Sequence, residues 1–86
     1  MQPLILPQVN INGTSREALI DQLREVIAAL NLAINTMASA MPHGRDYHFR
    51  PAEYTPAREA WSARIATVVD LKDEVTAHAI RLQQGD

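Results

Sequence analysis

Seven apolar residues, Ile20, Leu23, Ile27, Leu30, Ile34, Met37 and Met41, follow one another at alternating steps of three and four. An α-helix brings such residues onto one face as an unbroken a/d seam. The adjoining g positions hold Leu19, Val26, Ala33 and Ala40. The apolar face is therefore wider than a two-stranded coiled coil needs, and it suits a bundle of three or more helices. The start of this helix is also written locally. Thr14-Ser15-Arg16-Glu17 reads as a capping box, with the Thr14 hydroxyl taking the Glu17 N–H and the Glu17 carboxylate reaching back. Ser15 can serve as the cap instead, with a shift of one residue. Pro42 stops the helix near Met41, for a length of roughly 40 Å.

A second helix is expected from Thr55-Pro56, because proline is favoured just inside a helix start, where its missing N–H is not needed. Its stripe is Trp61, Ile65, Val68, Leu71 or Lys72, Val75, Ala79 and Leu82, with Val69 and Ile80 to the side and Gly85 beyond the end as a stop. Before the first helix, Pro3 and Pro7 bar a helix from an apolar arm. In that arm, residues 8–12 alternate polar and apolar as a short strand would, and Asn12-Gly13 is a turn signal. Such a strand must pair with another arm or lie along a helix. The expected organisation is an extended arm over 1–13 and one hairpin over 14–84: helix 14–41, loop 42–54, helix 55–83. The fold class is all-α, an antiparallel two-helix hairpin with a short extended N-terminal arm. Two helices hide one stripe each, and this chain has more than that. Association with copies of itself into a homo-oligomeric helical bundle, dimer or higher, is therefore expected.

With 86 residues the chain makes one domain, and at that size a lone thin core is marginal. Apolar residues make up 47%, but much of that is alanine, which buries little per residue. There is no cysteine, hence no disulfide framework and no thiolate metal site, which fits a reducing compartment. Residues 1–10 lack the basic region and long apolar run of a secretory signal. No stretch reaches the roughly 18 apolar residues of a membrane span. A cytoplasmic protein is expected. The net charge of −2 gives no overall basic balance for general nucleic-acid binding.

Chemistry concentrates in His43-Gly44-Arg45-Asp46-Tyr47-His48-Phe49-Arg50. Three of the four aromatic residues, Tyr47, Phe49 and Tyr54, lie within this loop and its continuation, together with two of the three histidines. Arginine beside aromatic faces can grip a phosphate and stack on a base. Arg58, in the first turn of the second helix, can join them, and the helix start offers free N–H donors. The ligand-binding candidates are thus His43, Arg45, Tyr47, His48, Arg50 and Arg58. The same residues also fit a purely structural loop, with the aromatics plugging the bundle end and Arg45 and Asp46 pinning the turn. Catalysis is not expected. His43 and His48 can form an acid–base pair in principle, but no nucleophile motif accompanies them. The spacing of His43, Asp46 and His48 matches no standard metal site, and no cofactor is expected. His78 reads as a packing residue. The segment 10–15 precedes a helix and can hold an anion, although a strand, a turn and a cap explain every residue in it.

Two short motifs, Ile11-Asn12-Gly13-Thr14-Ser15 and Pro42-His43-Gly44-Arg45-Asp46-Tyr47, carry a resemblance over nearly the whole chain. The chain resembles small uncharacterised helical-hairpin proteins of tailed bacteriophages and prophages. That resemblance transfers no functional residue. It implies a phage-encoded protein in the host cytoplasm, acting by binding. One phage class of this kind sequesters nucleotide signals of host antiviral immunity, such as cyclic dinucleotides or ADP-ribose derivatives. The expectation is therefore a non-enzymatic oligomeric sponge for a nucleotide-like anionic ligand. The alternatives are a virion or morphogenesis protein and an inhibitor that occludes a host protein.

Overall fold

The computed structural model of the chain describes residues 2–9 and 13–85. Two α-helices, α1 (Arg16–Ser39) and α2 (Tyr54–Gln83), are joined by two 3₁₀ turns, Gly44–Tyr47 and Pro51–Glu53. The helices run antiparallel. The Trp61 indole N–H donates to the Met37 carbonyl at 2.8 Å near the closed end. At the open end the Arg16 guanidinium lies beside Gly85. The all-helical hairpin expected from the periodicity is present.

The cap of α1 is Ser15, whose hydroxyl accepts from the Ala18 N–H at 3.1 Å. The helix accordingly begins two residues later than a start at residue 14. It also stops earlier, at Ser39. The Ala40 N–H is shared between the Thr36 and Met37 carbonyls, and Met41 bonds back only to Ala38, which tightens the last turn ahead of Pro42. The second helix begins at Tyr54 rather than behind a Thr55 cap. The 3₁₀ turn Pro51–Glu53 feeds directly into it, with Glu53 at the cap position and no side-chain cap bond. Pro56 still falls within the first turn, where N–H groups have no intrahelical partner, and so costs nothing there. At the far end Gly85 takes a positive φ of 83°. The Arg16 guanidinium packs against it, setting a cation where the α2 dipole is negative.

The arm folds back across the open end of the hairpin. Pro3 and Leu4 face Glu74, Ala77, His78 and Arg81 of α2. Pro7 spans the gap between Leu19, Leu23 and Val26 of α1 and His78 and Leu82 of α2. Gln8 and Val9 are in no strand. The rest of the expected strand, residues 10–12, lies outside the described residues.

This third layer decides where burial occurs. Among the described residues only Val75, Ala79 and Leu82 are buried, and Leu82, which lines the hollows formed by the arm, is the deepest at 2% exposure. The seven a/d residues, six in α1 and Met41 just past its end, are each only half-buried. The molecule measures 63 × 21 × 18 Å with a radius of gyration of 18.3 Å, against about 12 Å for a compact chain of this length. Its accessible surface is 6651 Å², where a compact monomer of this mass would show roughly 5,100 Å².

Truncating the one deeply buried side chain tests this distribution. Leu82→Ala should cost about 2–5 kcal/mol, while Phe49→Ala at the exposed closed end should stay within about 0.5 kcal/mol. Denaturant unfolding followed by circular dichroism measures both, and equal costs would place the stabilising core elsewhere.

Candidate functional site

The closed end of the hairpin is a short, braced turn. Pro42 and the extended backbone of His43 (φ −110°, ψ 141°) lead out of α1. The His43 Nδ1 accepts the Arg45 N–H at 3.2 Å, so the ring caps the first 3₁₀ turn and carries its own proton on Nε2. The Asp46 N–H donates to the His43 carbonyl at 2.9 Å, the Arg50 N–H to Tyr47 at 3.1 Å, and the Glu53 N–H to Arg50 at 3.0 Å. Three consecutive tight turns therefore shape the backbone where a loop of unspecified form was expected. Gly44 has no other heavy atom within 4 Å of where a Cβ would sit, which leaves the backbone there open to approach.

Side chains divide into two sets. The Tyr47 and Tyr54 rings, both half-buried, lie 5.9 Å apart and tilted by 45°. Arg58 extends this group by donating from Nη1 to the Tyr54 hydroxyl oxygen at 3.2 Å. The Trp61 indole, one turn further along α2, locks the group to the end of α1. The second set faces outward. Arg45, Asp46, His48, Phe49 and Arg50 are all exposed. Phe49 is 95% exposed and meets the His48 ring edge-on at 5.3 Å. Arg50 pairs loosely with Glu53 at 3.5 Å, both side chains mostly in solvent, an arrangement of little energetic weight. Among the described residues the Arg45 side chain has no ion pair.

The six candidates are thus all at one end of the molecule. The fold joins Tyr47 to Arg58 through Tyr54, and His43 to the Arg45 backbone. The outward-facing residues stand in solvent at the closed end. The concave surfaces formed by the arm lie at the opposite end, about 45 Å away along α2. One of them, of about 220 Å³, is lined by Pro7, Leu19, Gln22, Leu23, Val26, His78 and Leu82. The Nδ1 of His78, which lines this hollow, and the Nε of Arg16, which lines a neighbouring one, are buried without a hydrogen-bond partner. His78 thus sits beneath the arm with its Nδ1 unpartnered, where a satisfied packing residue was expected. Among the described residues no cluster of three His, Cys, Asp or Glu is placed to hold a metal ion, and no helix is long and apolar enough to cross a membrane. Of the 10–15 segment, residues 13–15 are described, and there Ser15 is occupied as the α1 cap.

No protein-family model, no curated protein and no solved structure matches this chain.

Trp61 is the strut that holds the tip. Trp61→Phe keeps the ring packing and removes the N–H bond to Met37. It should lower stability by about 0.5–1.5 kcal/mol, towards the lower figure because the Met37 carbonyl keeps the Ala40 N–H. An unchanged denaturation midpoint would show that the indole bond does not brace the tip.

Proposed function

We propose that the chain is a non-enzymatic binding protein which, as a homo-oligomer, holds an anionic nucleotide-derived ligand at the hairpin tip. In the phage setting that the two motifs resemble, such a protein sequesters a signalling molecule of host antiviral immunity. The observation that carries the reading is the state of Arg45. Its guanidinium sits on a turn held by backbone bonds, in solvent, without an ion pair among the described residues. A planar donor fork held in this way suits bidentate contact with a phosphate. His48 and Arg50 add donors on the same turn, Arg58 does so one helical turn away, and Tyr47 offers a ring face. A shared cleft between copies would enclose these exposed side chains. Specificity would then follow from polar groups left unpaired by the wrong ligand.

One observation favours a second reading. Phe49 stands almost wholly in solvent at the outermost turn, and exposed aromatics of this kind serve as anchors in protein contacts. Under that reading the tip docks onto a host or virion protein, and the arginines form its rim.

Thermal shift of the purified protein against a nucleotide panel, including cyclic dinucleotides and ADP-ribose derivatives, separates the two. A ligand at a hundred times its dissociation constant should add about 2.7 kcal/mol to the folded state. Arg45→Ala should abolish that shift, while Arg64→Ala, exposed on α2 away from the tip, should leave it unchanged. Equal losses in the two variants would move the site elsewhere, and silence across the panel would favour the protein-docking reading.

A further inference from the structure

The hollow beneath the arm is apolar on most sides and has one unmet need. Pro7 from the arm, Leu19, Leu23 and Val26 from α1, and Leu82 from α2 give it apolar walls. Gln22 and His78 supply its polar lining, and among the described residues no acidic, lysine or arginine side chain borders it. The Nδ1 of His78 is buried and has no hydrogen-bond partner. A buried polar atom left unpaired costs about 1–3 kcal/mol, and folded proteins keep few of them. The imidazole also borders a second hollow, of about 230 Å³, where Pro3 and Leu4 face Glu74, Ala77 and Arg81. The ring thus stands between two spaces under the arm. Of residues 2–9 only Leu6 is even half-buried. With so little apolar burial the arm is lightly held, and a small shift of it bares the ring nitrogen to a molecule in the hollow.

We infer that this hollow binds a small neutral molecule, an apolar body carrying one hydroxyl, with the hydroxyl hydrogen-bonded to His78 and the arm closing over the body. Three observations select that chemistry. The first is size. The hollow holds about 220 Å³. An apolar cavity of about 150 Å³ accommodates benzene, so a single substituted ring or an alkyl group of similar bulk fits, and a nucleotide does not. The second is the absence of charge in the lining. An ion set against Pro7 and the leucines would lose its water with no opposite charge beside it. The third is the unpaired Nδ1. A hydroxyl both donates and accepts, so it satisfies Nδ1 whichever ring nitrogen carries the proton. The site lies at the opposite end of the molecule from the tip and is independent of the ligand proposed there.

A matched pair of probes tests it, 4-fluorophenol and fluorobenzene, each titrated against the full chain and followed by fluorine NMR. A hollow that offered only apolar walls would prefer fluorobenzene, because burying an unpaired hydroxyl is costly. Pairing with His78 reverses that order, and 4-fluorophenol should bind about tenfold more tightly. His78→Phe should abolish the preference. Val26 is 43% exposed at the rim of the hollow, so Val26→Phe narrows the space and should weaken both probes about tenfold or more. Phe49→Ala at the closed end should change neither affinity. Helical circular dichroism checks that each variant is folded. If His78→Phe does not fold, the two probes on the unsubstituted chain and on Val26→Phe still decide. Equal binding of the probes, or a preference for fluorobenzene, overturns the inference. So does binding that survives Val26→Phe or is lost in Phe49→Ala. Binding of neither probe assigns the hollow to water and overturns it as well.

Discussion

A pair of helices can cover only one face of each, and everything else in this molecule follows from that limit. The a/d seam of α1 and the stripe of α2 meet along their length, yet the seam residues of α1 stay half-buried because nothing closes the groove on either flank. The deepest burial among the described residues is reached where a third layer exists. The arm supplies it at the open end, and Leu82 disappears from solvent there. Each fully buried large aliphatic side chain is worth about 1.5–3 kcal/mol. A chain with three buried residues among those described therefore gains far less from its own interior than its apolar content would allow. The drive to find more cover is built into the fold.

That drive and the design of the tip are separable. The Tyr47–Tyr54–Arg58 group and the Trp61 indole tie the tip to the helices, and the 3₁₀ turns use the backbone donors. With those needs met, Arg45, His48, Phe49 and Arg50 are left free to face outward. A loop whose only task was to plug a bundle end would turn its aromatics inward. Here Tyr47 and Tyr54 do so, while Phe49 does not. The tip thus has a structural half and an outward half, which accommodates both roles that the loop composition suggests.

Particular residues show how much of this could be read without coordinates. The seven a/d positions, six in α1 and Met41 just beyond it, are all half-buried rather than exposed, because a period of three and four gathers them on one face of an α-helix. The helix ends were harder. Thr14 and Ser15 both qualify as caps, and only the geometry selects Ser15. Thr55-Pro56 looks like a helix start, but Pro51 opens a 3₁₀ turn that carries the helix in from Tyr54. The six candidate residues of the tip were legible as a cluster through composition alone. Their division into packed and outward-facing side chains was not, since neighbours in a tight turn point in directions set by backbone angles. The uncharged run from Val26 to Met41 was also readable, but Leu32 lies outside the seam and draws notice only once its exposure is known.

The amino-acid sequence by itself determined two helices, their facing stripes, the break between them and the chemistry gathered in that break, because periodicity, proline and glycine act over a few residues at a time. The tertiary structure alone decided that the arm caps the open end and helps to bury Leu82, the deepest of the described residues. It also decided which residues of the tip stand in solvent and that one flank of α1 lies bare. These are consequences of which surfaces meet across the chain, and contact between distant segments depends on the sum of packing, which no local pattern encodes.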